Sequence, residues 1–271
     1  MKLFISSDME GTCGITHWDE TDNNKGAHHY EYFRGQMTRE VAAACSGALE
    51  AGATEIRVKD AHDSGRNIIA TELPLGVNLD RSFSGHPFSM VQGLDEGFDA
   101  LGFTGYHSPA HGDGNALSHT FTLTADEVII NGKRASEFTL WSYTAAMLKI
   151  PVIFLSGDEA LCQLAKDFIP GITVVGVNRG RGGSVMSIHP KEAEARIKEG
   201  MKQAVKKVKE TGSKDCIVQL PPSFEMVIKF KEHARAFSKS FYPGVKQVNE
   251  KTISYTTTDY MEIMRCLHFV I

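Results

Sequence analysis

Two carboxylates near the N-terminus are the first residues whose spacing points to chemistry. Asp8 and Glu10 are two positions apart, so on an extended chain both side chains lie on the same side. They follow the apolar run at residues 3–6, and ligands of open α/β sheets bind beyond the carboxyl ends of the strands. An Asp-x-Glu pair by itself is more often solvated or part of a cap. At a strand end, however, two hard oxygen ligands indicate a metal site.

Histidines follow two further runs that are predicted as strands, at residues 55–58 and 100–103. His62 could supply an imidazole to a metal held by the two carboxylates, with a neighbouring aspartate orienting the ring. A simpler interpretation is a surface loop in which Asp63 caps the next segment. His107 comes just past the second run. Turn composition alone does not account for metal-type residues at three strand ends, so we expect these side chains to converge.

His119 and Glu137 are further candidates for the same pocket. His119 lies beside a predicted strand, a firmer support than the glycine-rich loop that follows His111, and this placement suits proton transfer. Glu137 follows Ser136, a suitable N-cap, and would lie in the first turn of a helix, where a carboxylate also interacts favourably with the helix dipole. The residues alone leave open whether Glu137 is a dipole partner or a metal ligand.

Apolar runs and helical patterns alternate along most of the chain. Strands are predicted at residues 3–6, 55–58, 100–103, 151–155 and 172–175, and helices at residues 32–51, 137–148 and 158–168. This alternation predicts an α/β fold in which a mostly parallel sheet has helices on both faces.

The pattern changes near residue 190. A strong helix signal covers residues 190–211 and is followed by alternating apolar and polar residues at 216–220 and 224–230, which predict half-buried strands. A terminal helix is predicted at 259–267. We therefore place a metal-binding catalytic α/β domain at residues 1–190 and a smaller α+β domain at residues 191–271.

Composition limits the classes of ligand. The 271 residues are 42% hydrophobic and 23% charged, which is typical of a globular protein, and the formal net charge of -4 gives no basic surplus for nucleic acid. No run approaches the roughly 18 apolar residues of a membrane span. Five scattered cysteines without a CxxC pair argue against a disulfide framework. We expect a cytoplasmic protein that binds small molecules or peptides.

The candidate residues also occur in a recognisable order. The segments are Ser7-Asp8-Met9-Glu10-Gly11, Asp60-Ala61-His62, Gly105-Tyr106-His107, Ser118-His119 and Glu137. This set resembles the DppA-type D-aminopeptidases, zinc peptidases that release N-terminal residues, notably D-amino acids, from short peptides. The resemblance includes residues 87–95, covers at least the first 175 residues, and continues more weakly into the C-terminal part.

The resemblance implies a site with two zinc ions. Asp8 would bridge both ions, Glu10 and His62 would complete one site, and His107 and Glu137 would complete the other. The resemblance thereby favours Glu137 as a ligand. It further implies a ring-stacked homodecamer that encloses its active sites and admits only short peptides.

His119 matches the catalytic histidine of the family, which is described there as a nucleophile. A general base or a transition-state stabiliser is an equal alternative on chemical grounds, because paired metals already generate hydroxide near neutral pH. The chain departs from the family at Lys59-Asp60-Ala61-His62, where Asn-Asp-Ser-His is expected. The loops at residues 12–29 and 111–116 also diverge, and such loops shape a substrate pocket.

Three functions are compatible with these residues. The first is a dinuclear zinc aminopeptidase acting on short peptides with D-amino acids at the N-terminus. The second is a metal-dependent phosphatase or phosphodiesterase, because two carboxylate-bridged ions also suit phosphoryl displacement. The third is a metal- or peptide-binding protein without turnover.

Overall fold

Twelve strands and six helices make up the computed structural model, which describes residues 1–271. In chain order the strands are β1 (Lys2–Ser7), β2 (Glu55–Asp60), β3 (Val77–Asp80), β4 (Ala100–Tyr106), β5 (Ala125–Ile130), β6 (Lys133–Arg134), β7 (Val152–Asp158), β8 (Thr173–Arg181), β9 (Ser184–Ser187), β10 (Phe224–Phe230), β11 (Lys246–Asn249) and β12 (Thr252–Thr257). The helices are α1 (Asn23–Glu50), α2 (Glu137–Met147), α3 (Glu159–Phe168), α4 (Pro190–Thr211), α5 (His233–Lys239) and α6 (Tyr260–Val270).

The larger sheet has seven strands in the order β3-β2-β1-β4-β7-β8-β9. Every neighbouring pair is parallel except β8 and β9. The strand order reverses between β1 and β4, because the chain builds outward from β1 in one direction before it continues from β4 in the other. Such a switch point opens a crevice at the carboxyl ends of the two strands. The register aligns Ser7 of β1 with Asp60 of β2 and Thr104 of β4, so the loops after all three strands meet at this crevice.

Helices cover both faces of this sheet. Alternate residues of β1 point to opposite faces: Leu3 and Ile5 enter a core shared with α1 and α4, whereas Phe4 enters a core shared with α2, α3 and α6. The predicted α/β class, with a mostly parallel sheet between helices, is confirmed. No helix is long and apolar enough to cross a bilayer.

The smaller sheet has the order β11-β12-β10-β5-β6 and is antiparallel throughout. It takes β5 and β6 from the first half of the chain and the other three strands from the C-terminal part. The division of the chain into domains at residue 190 stays a prediction, and this sheet joins segments from both sides of that position.

The helix predicted at residues 190–211 is confirmed at both ends. His189 is the N-cap and accepts a hydrogen bond from the Lys191 amide, Pro190 occupies the first helical turn, and Gly212 ends the helix with a φ of 83°. Proline fits the first turn because its missing N–H would have no partner there, and glycine adopts positive φ without a Cβ clash.

The strand predicted at residues 216–220 is wrong. Lys214–Cys216 form a 3-10 helix, and residues 217–220 are irregular. Pro221 and Pro222 follow directly, and because proline has no N–H to donate to a strand ladder, this segment is poorly suited to pairing. The alternation of Ile217 to Leu220 therefore reflects partial burial without a partner strand.

A buried carboxylate ties α1 to the loop that follows β1. Glu40 is 1% exposed, and its Oε1 accepts hydrogen bonds from the Cys13 amide and from Gln36 Nε2, each at 3.0 Å. Its Oε2 has no hydrogen-bond partner. Burial raises the pKa of Glu40 from 4.5 to about 7, even though both hydrogen bonds favour the charged form.

Replacing Glu40 with glutamine should make the protein's stability less sensitive to pH. Between pH 4.5 and 7 the native carboxyl keeps a proton that the unfolded chain has lost. The free energy of unfolding of the wild type therefore falls as pH rises through this window, by up to about 3 kcal/mol relative to Glu40→Gln. Urea unfolding of both proteins at pH 5 and pH 8 measures this difference. A difference that is the same at both pH values would contradict the raised pKa.

Candidate metal centre

The loop after β1 presses against the end of β4. Asp8 donates its amide N–H to Thr104 O at 2.8 Å, and Gly11 donates to Gly105 O at 2.8 Å. A Cβ at Gly11 would lie 1.8 Å from Tyr106 O, and one at Gly105, whose φ is 68°, would lie 2.1 Å from Asp8 O. Only glycine permits so close an approach of the two backbones. These two positions therefore bring the carboxylates after β1 next to the histidine after β4.

Five predicted metal ligands meet at this crevice. His62 Nδ1 lies 3.3 Å from Asp8 Oδ1 and 3.0 Å from Glu10 Oε2. On the other side, His107 Nε2 lies 3.4 Å from Asp8 Oδ2 and 3.6 Å from Glu137 Oε2. These residues form two groups, Asp8-Glu10-His62 and Asp8-His107-Glu137, and within each group the donor atoms lie within 4.8 Å of one another. Asp8 belongs to both groups and faces a different histidine with each of its oxygens.

His119 lies at the same cluster but is more accessible to the cavity. Its Nε2 is 3.8 Å from Glu10 Oε1 and 3.9 Å from Glu137 Oε1. Its ring stacks on that of His107, with centroids 4.3 Å apart, and the edge of Trp18 packs at 5.2 Å. The His119 side chain is 13% exposed, against 2% for His107. Glu10, His107 and His119 also form a group with ligand geometry, so distances alone do not separate a proton-transfer role for His119 from a ligand role.

His119 lies in an irregular segment rather than beside a strand. The nearest regular strand, β5, begins at Ala125, and only an isolated bridge between Thr120 and Thr122 intervenes. The rigid support predicted for His119 comes instead from its Nδ1 contact with Leu117 O at 2.9 Å and from Trp18.

Each histidine of the cluster has one ring nitrogen engaged by a backbone carbonyl. His62 Nε2 lies 2.9 Å from Thr21 O, and His107 Nδ1 lies 2.9 Å from Ser108 O. Because a carbonyl only accepts, that nitrogen carries the proton in a neutral ring, and the other nitrogen offers its lone pair toward the carboxylates. The sequence predicted a neighbouring aspartate as the partner of His62, and the Thr21 carbonyl takes that place.

The donor atoms at the centre of the cluster fit a metal cation. Asp8 Oδ2, Glu10 Oε2 and His107 Nε2 are buried and have no hydrogen-bond partner. Buried polar atoms without partners are costly, and carboxylate oxygens packed against imidazole nitrogens are the ligand set of zinc sites. The cluster therefore has the chemistry and the unsatisfied atoms that a bound metal requires.

Protons would balance the carboxylates in the absence of a metal. Burial and the nearby Glu10 charge raise the pKa of Asp8. Burial would lower the pKa of His62 and of His107, but attraction to the carboxylates outweighs it and holds both values well above the ordinary range. For Glu10, burial is outweighed by the charge of His62, and the pKa falls well below its usual value. A divalent cation would displace these protons, so metal binding is coupled to pH.

Residues distant in sequence hold the loop that carries Glu10. Asn178 Nδ2 donates to Gly11 O at 3.2 Å and to Thr12 O at 2.7 Å, and Asn115 Nδ2 donates to Glu10 O at 3.1 Å. Sequence reasoning missed both asparagines, because amides separated from Glu10 by more than 100 residues carry no local signal. Asn178 is the first residue of the glycine-rich run at residues 178–184, and its side-chain amide binds the loop that carries Glu10.

A cavity of about 450 Å³ opens onto the cluster. Besides the carboxylates and histidines it is lined by large apolar side chains. These are Trp18, Phe83, Met90, Phe121 and Leu123. Polar side chains outside the cluster also line it: Thr21, Asp22, Lys25, Asp63 and Ser89. A cavity of this size with both apolar and polar walls suits a small ligand that carries charged as well as apolar groups.

Three comparisons with known proteins each match D-aminopeptidases. The D-aminopeptidase family model matches residues 1–269. A D-aminopeptidase of Bacillus subtilis (strain 168) is 30% identical over 273 residues, which cover 98% of this chain and 95% of that protein. A solved structure, the Zn-dependent D-aminopeptidase DppA from Bacillus subtilis, a self-compartmentalizing protease, matches with a TM-score of 0.90 at 26% identity and covers 100% of this chain and 96% of that chain. The chain belongs to the D-aminopeptidase family, as the order of its site residues predicted.

Proposed function

We propose that the protein is a dinuclear zinc aminopeptidase that hydrolyses N-terminal residues, preferably D-amino acids, from short peptides. The observation that carries this proposal is the buried cluster in which Asp8 faces one histidine with each oxygen at the edge of a cavity. Membership of the D-aminopeptidase family and the zinc dependence of the matching Bacillus subtilis structure support the reaction and the metal.

The two groups of donors suggest how two zinc ions would be held. Glu10 and His62 would bind one ion, His107 and Glu137 would bind the other, and Asp8 would bridge both. A carboxylate suits the bridging position because its two oxygens can bind different metals. Two nitrogen and three carboxylate ligands leave open coordination positions for water and substrate, as catalytic zinc sites require.

Zinc, when bound at such a pair, polarises a scissile carbonyl and lowers the pKa of water. The chain's own contribution to proton transfer is assigned to His119. Its Nδ1 is engaged by Leu117 O, so its Nε2 is free to take up a proton near Glu10 and to return it to the leaving amine. Trp18 packs against the His119 ring and shields it from bulk water. A nucleophile would use the same Nε2 lone pair, and the general base is preferred on chemical grounds because paired metal ions would supply the attacking hydroxide.

Separate losses of metal and of turnover would distinguish these roles. His119→Ala should keep two zinc ions per chain by elemental analysis and lose about 10²- to 10⁴-fold in kcat, the usual contribution of a positioned base. Asp8→Ala, the matched control, should lose metal because both sites share this carboxylate. If His119→Ala keeps full turnover, His119 has no part in the mechanism. If it loses zinc, His119 is a ligand.

Substrate class and stereochemistry are tested with matched dipeptides. The zinc-loaded protein should release D-Ala from D-Ala-D-Ala faster than it releases L-Ala from L-Ala-L-Ala, and dialysis against a chelator should abolish both activities. An N-acetylated dipeptide should resist cleavage, because an aminopeptidase recognises the free amine. A phosphate ester is the counter-substrate: hydrolysis of the ester alone would show a phosphatase or phosphodiesterase, and binding without turnover of any substrate would show a binding protein.

We further propose that the protein assembles into a homo-oligomer, a homodecamer by resemblance to its family. An exposed aromatic patch near α5 and α6 supports self-association. Phe237, Phe241 and Phe269 are 58%, 73% and 62% exposed, and the rings of Phe237 and Phe241 contact each other at 5.2 Å. Clustered exposed aromatic side chains mark interaction surfaces in soluble proteins. A cytoplasmic location stays a prediction, consistent with five free cysteines.

Light scattering coupled to size exclusion should give the mass of ten chains of 29.8 kDa. Phe241→Ser should reduce this mass if the patch lies in an interface, because it removes the most exposed aromatic ring. The same substitution at Tyr32, 57% exposed on α1, is the control and should leave the mass unchanged. A monomeric wild type would contradict the assembly.

A further inference from the structure

A lysine is fully buried beside the candidate metal centre. Lys59 is the penultimate residue of β2, and its side chain is 0% exposed. An ammonium group has three N–H donors, and a buried one needs a partner for each. Nζ donates to Asp60 O at 2.8 Å and to Ser82 O, and it lies 4.3 Å from the centroid of the Phe83 ring. Two carbonyls and one aromatic face therefore satisfy the three donors.

No carboxylate side chain is hydrogen-bonded to this ammonium. Asp80 pairs with Lys59 in the β2–β3 register, but its carboxylate accepts from Gln92 Nε2 at 3.3 and 3.4 Å. The carboxylate of Asp60 accepts from the Asn67 and Ile68 amides. The nearby negative charges offset part of the cost of burying Lys59, but its direct contacts beyond β2 go to Ser82 and Phe83.

The segment contacted by Lys59 forms part of the cavity wall. Phe83 lines the cavity and packs at the edge of the hydrophobic core. Ser82 has a φ of 66°, a conformation that non-glycine residues adopt only when their surroundings hold it. Its amide donates to Gly65 O at 2.7 Å. Lys59 therefore binds the carbonyl of Ser82 and Gly65 binds its amide, and the Lys59 ammonium lies over the ring of Phe83.

We infer that Lys59 is a positioning residue that fixes the Phe83 ring in the wall of the substrate cavity, where this ring contacts an apolar side chain of the bound peptide. The inference rests on the proposed peptidase function for the identity of the ligand. The contact is apolar because the ring itself is apolar, and Trp18 and Leu123 are further apolar side chains in the lining of the same cavity. Lys59 acts through Phe83 and touches no reacting atom, so its removal changes peptide binding and leaves the zinc ligands in place.

The first test concerns the position of the segment and requires no substrate. Lys59→Met keeps the length of the side chain and removes the charge. Hydrogen exchange at residues 81–84 should become about tenfold faster, because the Ser82 carbonyl and the Phe83 ring lose their partner. Exchange in β1 should not change. Lys229→Met, a lysine on β10 that is 45% exposed and paired with Glu127, is the control and should leave residues 81–84 unaffected.

The second test concerns peptide binding. With Lys59→Met, KM for a D-Phe-D-Ala dipeptide should rise about tenfold while kcat and zinc content are retained, and KM for D-Ala-D-Ala should change less than about twofold. Phe83→Leu should give the same selective rise. In the Phe83→Leu background, Lys59→Met should cause no further rise in KM, because both substitutions remove the same interaction.

Three results would overturn the inference. Unchanged exchange at residues 81–84 in Lys59→Met removes the positioning role. Additive effects of the two substitutions on KM show that Lys59 does not act through Phe83. If Lys59→Met does not fold, Phe83→Leu decides. If the KM of Phe83→Leu for each dipeptide equals that of the wild type, Phe83 does not contact the peptide. A wild type that cleaves no peptide would refute the proposed function, and calorimetric Kd values for the same dipeptides would then replace KM.

Discussion

The central constraint in this protein is the burial of three carboxylates in one cluster with His62 and His107, in which a donor atom of Asp8 lies within 4.8 Å of one from Glu10 and of one from Glu137. Asp8, Glu10 and Glu137 are each at most 4% exposed, and charges cannot be removed from water at this density without countercharges. The histidines provide them when protonated, and metal ions would provide them more fully. The fold around the cluster can be understood as the arrangement that keeps these side chains together in spite of their mutual repulsion.

The sheet topology explains how these side chains are brought together. The proposed ligands follow β1, β2 and β4, three neighbouring strands whose carboxyl ends share one crevice, and a fourth element, α2, places Glu137 in its first turn. Two backbone hydrogen bonds, from the Asp8 amide to Thr104 O and from the Gly11 amide to Gly105 O, hold the β1 loop against β4, and the glycines at 11 and 105 permit this close approach. Burying these carboxylates is unfavourable for folding, whereas the two hydrophobic cores that flank the sheet bury apolar surface, which favours it.

Local pattern was enough to predict the strands that carry the site. Residues 3–5 are apolar, and residues 55–58 alternate charged and apolar side chains. Both segments end in polar clusters, which the parallel arrangement then brings together. The pattern failed where tertiary context decides. Residues 216–220 alternate like a strand but have no partner, and β5 pairs with β10 across nearly 100 residues. The sequence also could not predict that Thr21, Asn115 and Asn178 support the site. Backbone carbonyls and single amides acquire such roles only when distant segments meet.

The contact between Thr21 and His62 links two properties that are usually considered separately. The segment around Thr21 forms a wall of the cavity, through Trp18 and Thr21, and it also orients a proposed ligand through the Thr21 carbonyl. Any event that orders this wall therefore also orders His62. Where a cavity ligand changes the affinity for an ion at His62, reciprocity requires the ion to change the affinity for that ligand by the same factor. The candidate metal centre and the cavity wall thus share one structural element, the segment around Thr21.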